Sequence, residues 1–434
     1  MAEPFRSTES ICPVCLATVP AVLLLEGDNV TLAGRCPDHG SWQTCIWRGA
    51  PSLEAWGDGI STAPAQQTCT VVLEVTRRCD LGCPVCFAES GPTSAEPDPP
   101  LARLTGMLER LYEAEGAVNL QLSGGEPTVR EDLPEVIAAA RAAGFTFVQL
   151  NTNGLRLAAE EGYAEQLRAA GLVSVFLQFD GVTDETYRAL RGRPLAEEKL
   201  RVLGRCAEAG LAVVLVPTVV PGINQHELGS LVRLAAEWPG VVRGLHLQPV
   251  SYFGRYPGSP APRLTLPEAL SLLEKQTGGE VRAADFAPSC CEHARCSFRA
   301  RYWVRDGGRL ELLRSESSCC GPQPDEASRR AVAATSRQWS RRPRGSTNVT
   351  AQPAEAQSCC ASPADPQPSD GLDRFLEEAD RMLTISGMLF QDAWSIDLER
   401  VRRCCVKTLA PNGSLVSFCT WNLTSESGLR LYPR

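Results

Sequence analysis

A repeated alternation of short apolar segments with helix-length segments, from residue 70 to about residue 250, restricts the fold most. Six short, apolar segments rich in β-branched residues are predicted strands: 71–76, 118–123, 145–150, 173–179, 212–219 and 245–250. Helical patterns lie between them at 101–115, 132–143, 158–170 and 197–209. Parallel strands need crossover connections, so this pattern predicts an α/β fold with a parallel sheet. Functional loops are then expected at the carboxyl ends of the strands.

A cysteine-rich loop follows the first predicted strand. Cys79, Cys83 and Cys86 have the spacing Cys-x3-Cys-x2-Cys. Three thiolates can hold three irons of a cubane cluster and leave the fourth iron without a protein ligand. An open coordination position is what a metal needs to bind and activate a substrate. On spacing alone, a structural zinc site or a chance triplet stays open.

Polar and glycine-rich segments follow the next three predicted strands. The second strand ends in Ser-Gly-Gly-Glu-Pro at 123–127, the third in Asn-Thr-Asn-Gly at 151–154 and the fourth in Gln-Phe-Asp-Gly at 178–181. Paired glycines let a backbone approach a ligand closely, and the neighbouring polar side chains can bind amine and ribose groups. With these motifs in order over residues 69 to 250, the chain resembles the radical S-adenosylmethionine (SAM) superfamily.

The resemblance implies a partial β/α barrel of six units with a [4Fe-4S] cluster as its catalytic centre, held by Cys79, Cys83 and Cys86. The cluster would bind SAM at its open iron, and one-electron reduction would cleave SAM to methionine and a 5′-deoxyadenosyl radical. The resemblance also assigns cofactor contacts. Gly124, Gly125, Glu126 and Pro127 would contact the methionine end of SAM. Asn153 and Asp180 would contact its ribose.

An N-terminal group of cysteines predicts a separate metal site in residues 1–65. The chain has 19 cysteines and only 4 histidines, so its metal chemistry depends on sulfur. Cys12, Cys15 and Cys36 lie in two knuckle-like turns on short apolar runs, which is typical of a rubredoxin-like or zinc-ribbon module with a single iron or zinc. His39 and Cys45 both qualify as the fourth ligand, and Cys45 is favoured because an all-sulfur iron site needs a fourth thiolate.

A second cysteine-rich region predicts auxiliary iron–sulfur clusters after a barrel at 69–265. It divides into 266–320 and 371–434, separated by a Pro-, Ser-, Ala-, Gln- and Arg-rich stretch at 321–370 that predicts a disordered insert. The expected ligands are Cys290, Cys296, Cys319, Cys320, Cys404, Cys405 and Cys419. Together with the N-terminal knuckles, they resemble a multi-cluster subgroup that includes archaeal tetraether lipid synthase and a pterin-biosynthesis methylase, and a bacterial branch of it whose members include selenoproteins.

Three further residues are predicted to be structural. Cys69 lies just before a predicted strand, and Cys206 lies within a predicted helix. A small packed thiol is the simplest interpretation of both. His246 alternates within a strand, which favours packing or a hydrogen bond over a substrate contact.

Composition narrows the class of protein. The 434 residues carry 43 Lys and Arg against 51 Asp and Glu, a net charge of −8, which argues against a general nucleic-acid binder. No apolar run of about 18 residues predicts a membrane span, and the first residues lack a signal-peptide pattern. A cytoplasmic location is therefore expected.

The resemblance implies an enzyme that abstracts hydrogen from an unidentified substrate and takes electrons from a flavodoxin or ferredoxin. Carbon–carbon bond formation, methylation and peptide or cofactor modification remain open as outcomes. The alternative is an iron–sulfur electron-transfer or cofactor-assembly protein without substrate turnover.

Overall fold

The computed structural model describes residues 3–57, 68–93, 97–256, 263–289, 292–313, 324–341 and 381–433. An antiparallel sheet of four strands forms the N-terminal module, as the short apolar runs predict. Its strands are β1 (Glu3–Ile11), β2 (Thr18–Glu26), β3 (Asn29–Cys36) and β4 (Gly40–Trp47), and a short helix α1 (Leu53–Gly57) follows. Leu23 and Leu32 are fully buried and continue into the main core of the protein. The module is therefore packed onto the barrel.

The central barrel contains all six predicted strands, paired in parallel in the order β5-β6-β7-β8-β9-β11. The strands are β5 (Thr70–Thr76), β6 (Asn119–Gly124), β7 (Val148–Thr152), β8 (Ser174–Gln178), β9 (Ala212–Val216), β10 (Thr218–Val219) and β11 (Val242–Pro249). The helices are α2 (Leu101–Glu115), α3 (Leu133–Ala142), α4 (Leu155–Ala159), α5 (Tyr163–Ala170), α6 (Asp184–Arg191), α7 (Ala196–Ala209) and α8 (Leu228–Glu237). The predicted helix at 158–170 is two helices because Gly162, at φ +80°, separates them.

The two faces of each strand have different partners because side chains alternate along a strand. In β5, Val71 and Leu73 pack in the core under the helices, whereas Thr70 and Val72 face the barrel interior. In β6, Gln121 likewise faces the interior. The outer face of the sheet is therefore apolar, and the interior has many polar groups.

The C-terminal region continues the barrel sheet at both of its edges. Its elements are α9 (Leu266–Gln276), β12 (Ser297–Val304), β13 (Leu310–Leu312), α10 (Pro324–Gln338), β14 (Met382–Met388), α11 (Leu398–Arg402), β15 (Val406–Leu409), β16 (Leu415–Ser417) and α12 (Phe418–Trp421). Strand β14 pairs in parallel with β11, and β15 pairs in parallel with β5. The segment 389–405 connects these two edges, so the cysteine-rich region lies directly against the barrel.

Part of the segment predicted to be a disordered insert is helical, so that prediction is wrong for residues 324–338. Helix α10 buries Ala331, and Trp339 just after it packs against Phe176 and His246, with ring centroids 5.9 and 6.0 Å apart. The alanine-rich sequence favours a helix, and one tryptophan provides its main apolar anchor. The rest of the predicted insert lies outside the described residues, as do Cys290, Cys319 and Cys320. Among the described helices, none is both long and apolar enough to cross a membrane.

Candidate active site and metal centres

A cavity of about 310 Å³ occupies the interior of the barrel. Cys79, Cys83 and Cys86 line the end at which the parallel strands terminate. His246 and Trp339 also line the cavity. The three predicted cluster ligands therefore share one cavity with the glycine-rich loop at 124–126.

The three-cysteine loop is fixed in place by Arg255, which follows β11. Its backbone exchanges two hydrogen bonds with Cys86, at 2.8 and 3.0 Å, and its Nε donates to the carbonyl oxygen of Cys83 at 2.8 Å. Burial raises the pKa values of the Cys79 and Cys83 thiols. Buried thiolates need a compensating positive charge, which iron would supply. The loop therefore suits a metal cluster better than free thiolates.

The paired glycines bring the loop after β6 against the base of the cysteine loop. Gly125 N donates to Thr76 O at 2.9 Å, and Glu126 N donates to Arg78 O at 2.8 Å. A Cβ atom on Gly124 would lie 2.1 Å from Thr76 O, and one on Gly125 would lie 2.2 Å from Arg78 O. Gly124 also has a φ of +131°. Only glycine fits these two positions without moving the backbone.

Glu126 holds the ends of β6 and β7 together. Its buried carboxylate accepts hydrogen bonds from the amide and hydroxyl of Thr128, at 3.0 and 2.6 Å, and from the Thr152 hydroxyl and the Asn153 amide, both at 2.6 Å. Burial raises the pKa of this carboxyl group. Four donors from the protein itself make Glu126 a positioning residue in this structure. Pro127 begins a 3₁₀ turn, Pro127–Val129, and does not line the cavity.

Asn153 lines the cavity and is linked to the cysteine loop. Its Nδ2 donates to Asp80 at 2.6 Å, and its carbonyl oxygen accepts a hydrogen bond from Lys199 Nζ at 2.5 Å. Lys199 is fully buried, and burial lowers its pKa to about 8. The sequence contains a signal for Lys199 that our prediction did not use. With Val202, Leu203 and Cys206 it has the i, i+3, i+4, i+7 spacing of the buried face of α7.

Asp180 does not line the cavity, contrary to its expected ribose contact. Its carboxylate is fully buried and forms a bidentate ion pair with Arg191, with both N–O distances 2.7 Å. It also accepts a hydrogen bond from Thr218 N at 3.0 Å. Arg191 lines the cavity instead and donates to Val85 O, between Cys83 and Cys86, at 3.3 Å. Asp180 therefore acts through Arg191, a residue that sequence reasoning missed.

The N-terminal module brings four metal-binding side chains together, and the fourth is His39 rather than Cys45. The ligand atoms of Cys12, Cys15, Cys36 and His39 all lie within 4.8 Å of one another. Cys45 donates instead to the carbonyl oxygen of Trp47 at 3.4 Å. The hydrogen bond from His39 lowers the pKa of Cys36 to about 7. Three sulfurs and one imidazole form a typical tetrahedral zinc set, so the preference for Cys45 was wrong.

Four of the predicted auxiliary ligands line a second, smaller cavity of about 30 Å³: Cys296, Cys404, Cys405 and Cys419. Arg400 donates to Cys296 Sγ at 3.1 Å. Burial raises the pKa of Cys404 and raises that of Cys419 to about 12. The thiol of Cys405 lies beside that of Cys69. Cys206 is buried in the main core, as predicted for a packed thiol. His246 Nδ1 lies 2.9 Å from Ser386 Oγ, which agrees with the predicted hydrogen bond.

Residues 73–235 match the Radical SAM superfamily. The chain is also 30% identical to the 7,8-dihydro-6-hydroxymethylpterin dimethyltransferase of Methanocaldococcus jannaschii, over 96% of this chain and 93% of that protein. The chain belongs to the radical SAM superfamily. Residues 4–48 match the HMPTM N-terminal zinc ribbon domain. A probable GTP 3′,8-cyclase of Methanothermobacter thermautotrophicus is 30% identical over 40% of this chain and 56% of its own length.

Among solved structures, the FeFe-hydrogenase maturase of Carboxydothermus hydrogenoformans covers 50% of this chain and 53% of its own, at 14% identity and a TM-score of 0.41.

Membership of the radical SAM superfamily identifies the protein as an enzyme that uses a [4Fe-4S] cluster and SAM. The three thiols and the two obligatory glycines that share the barrel cavity fit those groups. The zinc ribbon and the further cysteine groups fit an N-terminal metal and auxiliary clusters. The alternative of a carrier or assembly protein without turnover is therefore set aside.

Proposed function

We propose that this radical SAM enzyme abstracts hydrogen from a planar, polar heterocycle of the pterin type and replaces it with a methyl group. One SAM is cleaved to methionine and 5′-deoxyadenosine, a second SAM donates the methyl group and leaves as S-adenosylhomocysteine, and the reductant supplies two electrons. The polar, partly aromatic interior of the barrel carries this proposal. One relative that matches almost the whole chain is a pterin dimethyltransferase, and its similarity extends beyond the barrel. That extent favours pterin methylation over the other reactions of the superfamily.

Side-chain amides line the barrel interior in a connected row. Gln121 Nε2 donates to Gln149 Oε1 at 2.9 Å, and Asn151 Nδ2 donates to Gln121 Oε1 at 3.4 Å. Asn151 Oδ1 is buried and has no hydrogen-bond donor among the described residues. Gln178 and Gln248 also line the cavity. Amides both donate and accept, so they can pair with the ring nitrogens and carbonyl groups of an uncharged heterocycle.

Aromatic rings form another part of the same wall. Phe176, His246 and Trp339 lie with ring centroids 5.5 to 6.0 Å apart. Burial lowers the pKa of His246 to about 4, so its ring is neutral at physiological pH. Flat apolar surfaces beside hydrogen-bonding amides are what a planar bicyclic substrate requires.

For the cofactor, we assign the cluster to Cys79, Cys83 and Cys86 and the SAM contacts to Gly124, Gly125 and Asn153. Bound together, cluster and SAM supply a 5′-deoxyadenosyl radical on one-electron reduction. Arg191 positions the cysteine loop through its hydrogen bond to Val85 O, and Glu126 positions Asn153 by accepting from its backbone amide. The reductant we propose is a flavodoxin or ferredoxin in the cytoplasm, where the cysteines would remain reduced.

The proposal is tested by incubating the reconstituted enzyme anaerobically with dithionite, SAM and 7,8-dihydro-6-hydroxymethylpterin. We expect the pterin to stimulate 5′-deoxyadenosine formation and a methylated pterin to appear in the mass spectrum. Trp339→Ala should reduce that stimulation and leave cleavage in the absence of pterin unchanged. A wild-type enzyme that cleaves SAM at the same rate with and without the pterin, and forms no methylated product, would exclude this substrate.

A further inference from the structure

Cys69 and Cys405 are brought together by the pairing of β5 with β15. Each residue directly precedes its strand, and Cys69 N donates to Cys405 O at 3.0 Å. Their register places Thr70 opposite Val406. The two thiols consequently lie side by side, with their sulfur atoms 3.1 Å apart. The two residues are 336 positions apart in the chain, so sequence spacing gives no sign of this pair.

Glu292 completes a three-residue group with these thiols. One carboxylate oxygen and both sulfur atoms lie within 4.8 Å of one another. Ser297 Oγ donates to Oε2 of the carboxylate at 2.8 Å. Three acidic groups packed together in the protein interior are costly to ionise without a cation, and buried charges are normally paired or coordinate metals. The presence of the Glu292 carboxylate distinguishes this group from two thiols that are merely packed together.

We propose that Cys69, Glu292 and Cys405 form a binding site for a thiophilic transition metal, iron or zinc. Two thiolates select these metals over magnesium or calcium. Sulfurs that share one tetrahedral ion at about 2.3 Å stand about 3.8 Å apart. A small rotation of either cysteine side chain reaches that separation from 3.1 Å.

The site lies in the wall between the two cavities of the protein. Cys69 lines the barrel cavity, Cys405 borders the smaller cavity, and Glu292 borders both. Three protein ligands leave a further coordination position on a tetrahedral metal. Cys69 and Glu292 line the cavity that Cys79, Cys83 and Cys86 also line. The metal, whether a single ion or one iron of an auxiliary cluster, is thus in reach of the barrel interior.

Metal and sulfide counts on the anaerobically reconstituted full-length protein test the proposal without any assay of turnover. The variants are Cys69→Ser and Glu292→Gln, and Cys206→Ser is the control because it changes a fully buried thiol within α7. We expect Cys69→Ser to lose metal and Cys206→Ser to keep the wild-type content. Native mass spectrometry then distinguishes a single metal ion from an iron–sulfur cluster. Loss of one ion without sulfide identifies a single-metal site, and loss of about four irons with their sulfides identifies a cluster.

Two results would overturn the site. One is wild-type metal content in both Cys69→Ser and Glu292→Gln. The other is a Cys69–Cys405 disulfide in the anaerobically isolated wild-type protein, found by non-reducing peptide mapping. Thermal unfolding of each variant checks its fold. Glu292→Gln keeps the shape of the side chain, so it tests the site if the serine variant does not fold.

Discussion

The guanidinium of Arg191 forms two hydrogen bonds of 2.7 Å with the carboxylate of Asp180, which is fully buried. The same guanidinium donates to Val85 O, which lies between Cys83 and Cys86, at 3.3 Å. One ion pair therefore joins the loop after β8 to the loop that carries the three central cysteines. The residue that resembled a ribose ligand in the sequence instead supports the cluster loop.

Asp180→Asn should lower the free energy of unfolding by about 3–5 kcal/mol, because it leaves the Arg191 charge buried without its partner. SAM cleavage should fall as well, since the Cys83 loop loses its support. Chemical denaturation measures the first effect. The control is Glu185→Gln, which removes an exposed ion pair with Arg188 and should change stability by about 0.5 kcal/mol or less. Equal stability of the two variants would contradict the supporting role.

Gly125→Ala should abolish SAM binding and cleavage because the added Cβ would lie 2.2 Å from Arg78 O. The loop after β6 would have to move away from the base of the cysteine loop. Gly204→Ala is the matched control: it lies within α7 with open space around its Cβ position, and alanine there should stabilise the helix by about 1 kcal/mol. SAM binding is measured by equilibrium dialysis, and full binding by Gly125→Ala would show that the close approach is unnecessary.

His39→Ala should remove the metal of the N-terminal module, whereas Cys45→Ala should retain it. The structure places the His39 ring 3.4 Å from Cys36 Sγ, and Cys45 bonds elsewhere. Zinc and iron counts on the isolated variants decide between them. Loss of the metal from Cys45→Ala but not from His39→Ala would show that Cys45 is the fourth ligand, as the sequence suggested.

Lys199→Met should stabilise the protein at pH 7 relative to the wild type, and the difference should shrink as the pH rises from 8 to 10.5. Burial lowers the folded-state pKa of Lys199 from 10.5 to about 8. The unfolded chain therefore binds more protons between these values, so wild-type stability rises with pH there. Urea unfolding of both proteins at pH 7 and 10 measures the change, with exposed Lys275→Met as the control. A difference independent of pH would show that Lys199 does not titrate in this range.

The strands, the barrel and the cysteine loop could be predicted from the sequence because they depend on local patterns. Strand periodicity, helix-forming segments and the Cys-x3-Cys-x2-Cys spacing all lie within short stretches of the chain. The close glycine contacts occurred at the predicted motif for the same reason.

The direction of single side chains and long-range pairs could not be predicted. Asp180 turns away from the cavity because Arg191, from the following helix, reaches it. His39 and Cys45 have equally suitable spacing, and the register of β3 with β4 decides between them. Cys69 meets Cys405 only because β15 pairs with β5. Helix α10 was missed because Trp339, a single anchor, does not form a periodic pattern.

The central claim is a SAM-cleaving cluster held by the loop of Cys79, Cys83 and Cys86. The most direct test is 5′-deoxyadenosine formation by the anaerobically reconstituted protein with dithionite and SAM, run in parallel on Cys83→Ala and Cys206→Ala. Wild type and Cys206→Ala should form 5′-deoxyadenosine, and Cys83→Ala should form none while remaining folded. Undiminished 5′-deoxyadenosine formation by Cys83→Ala would contradict the claim.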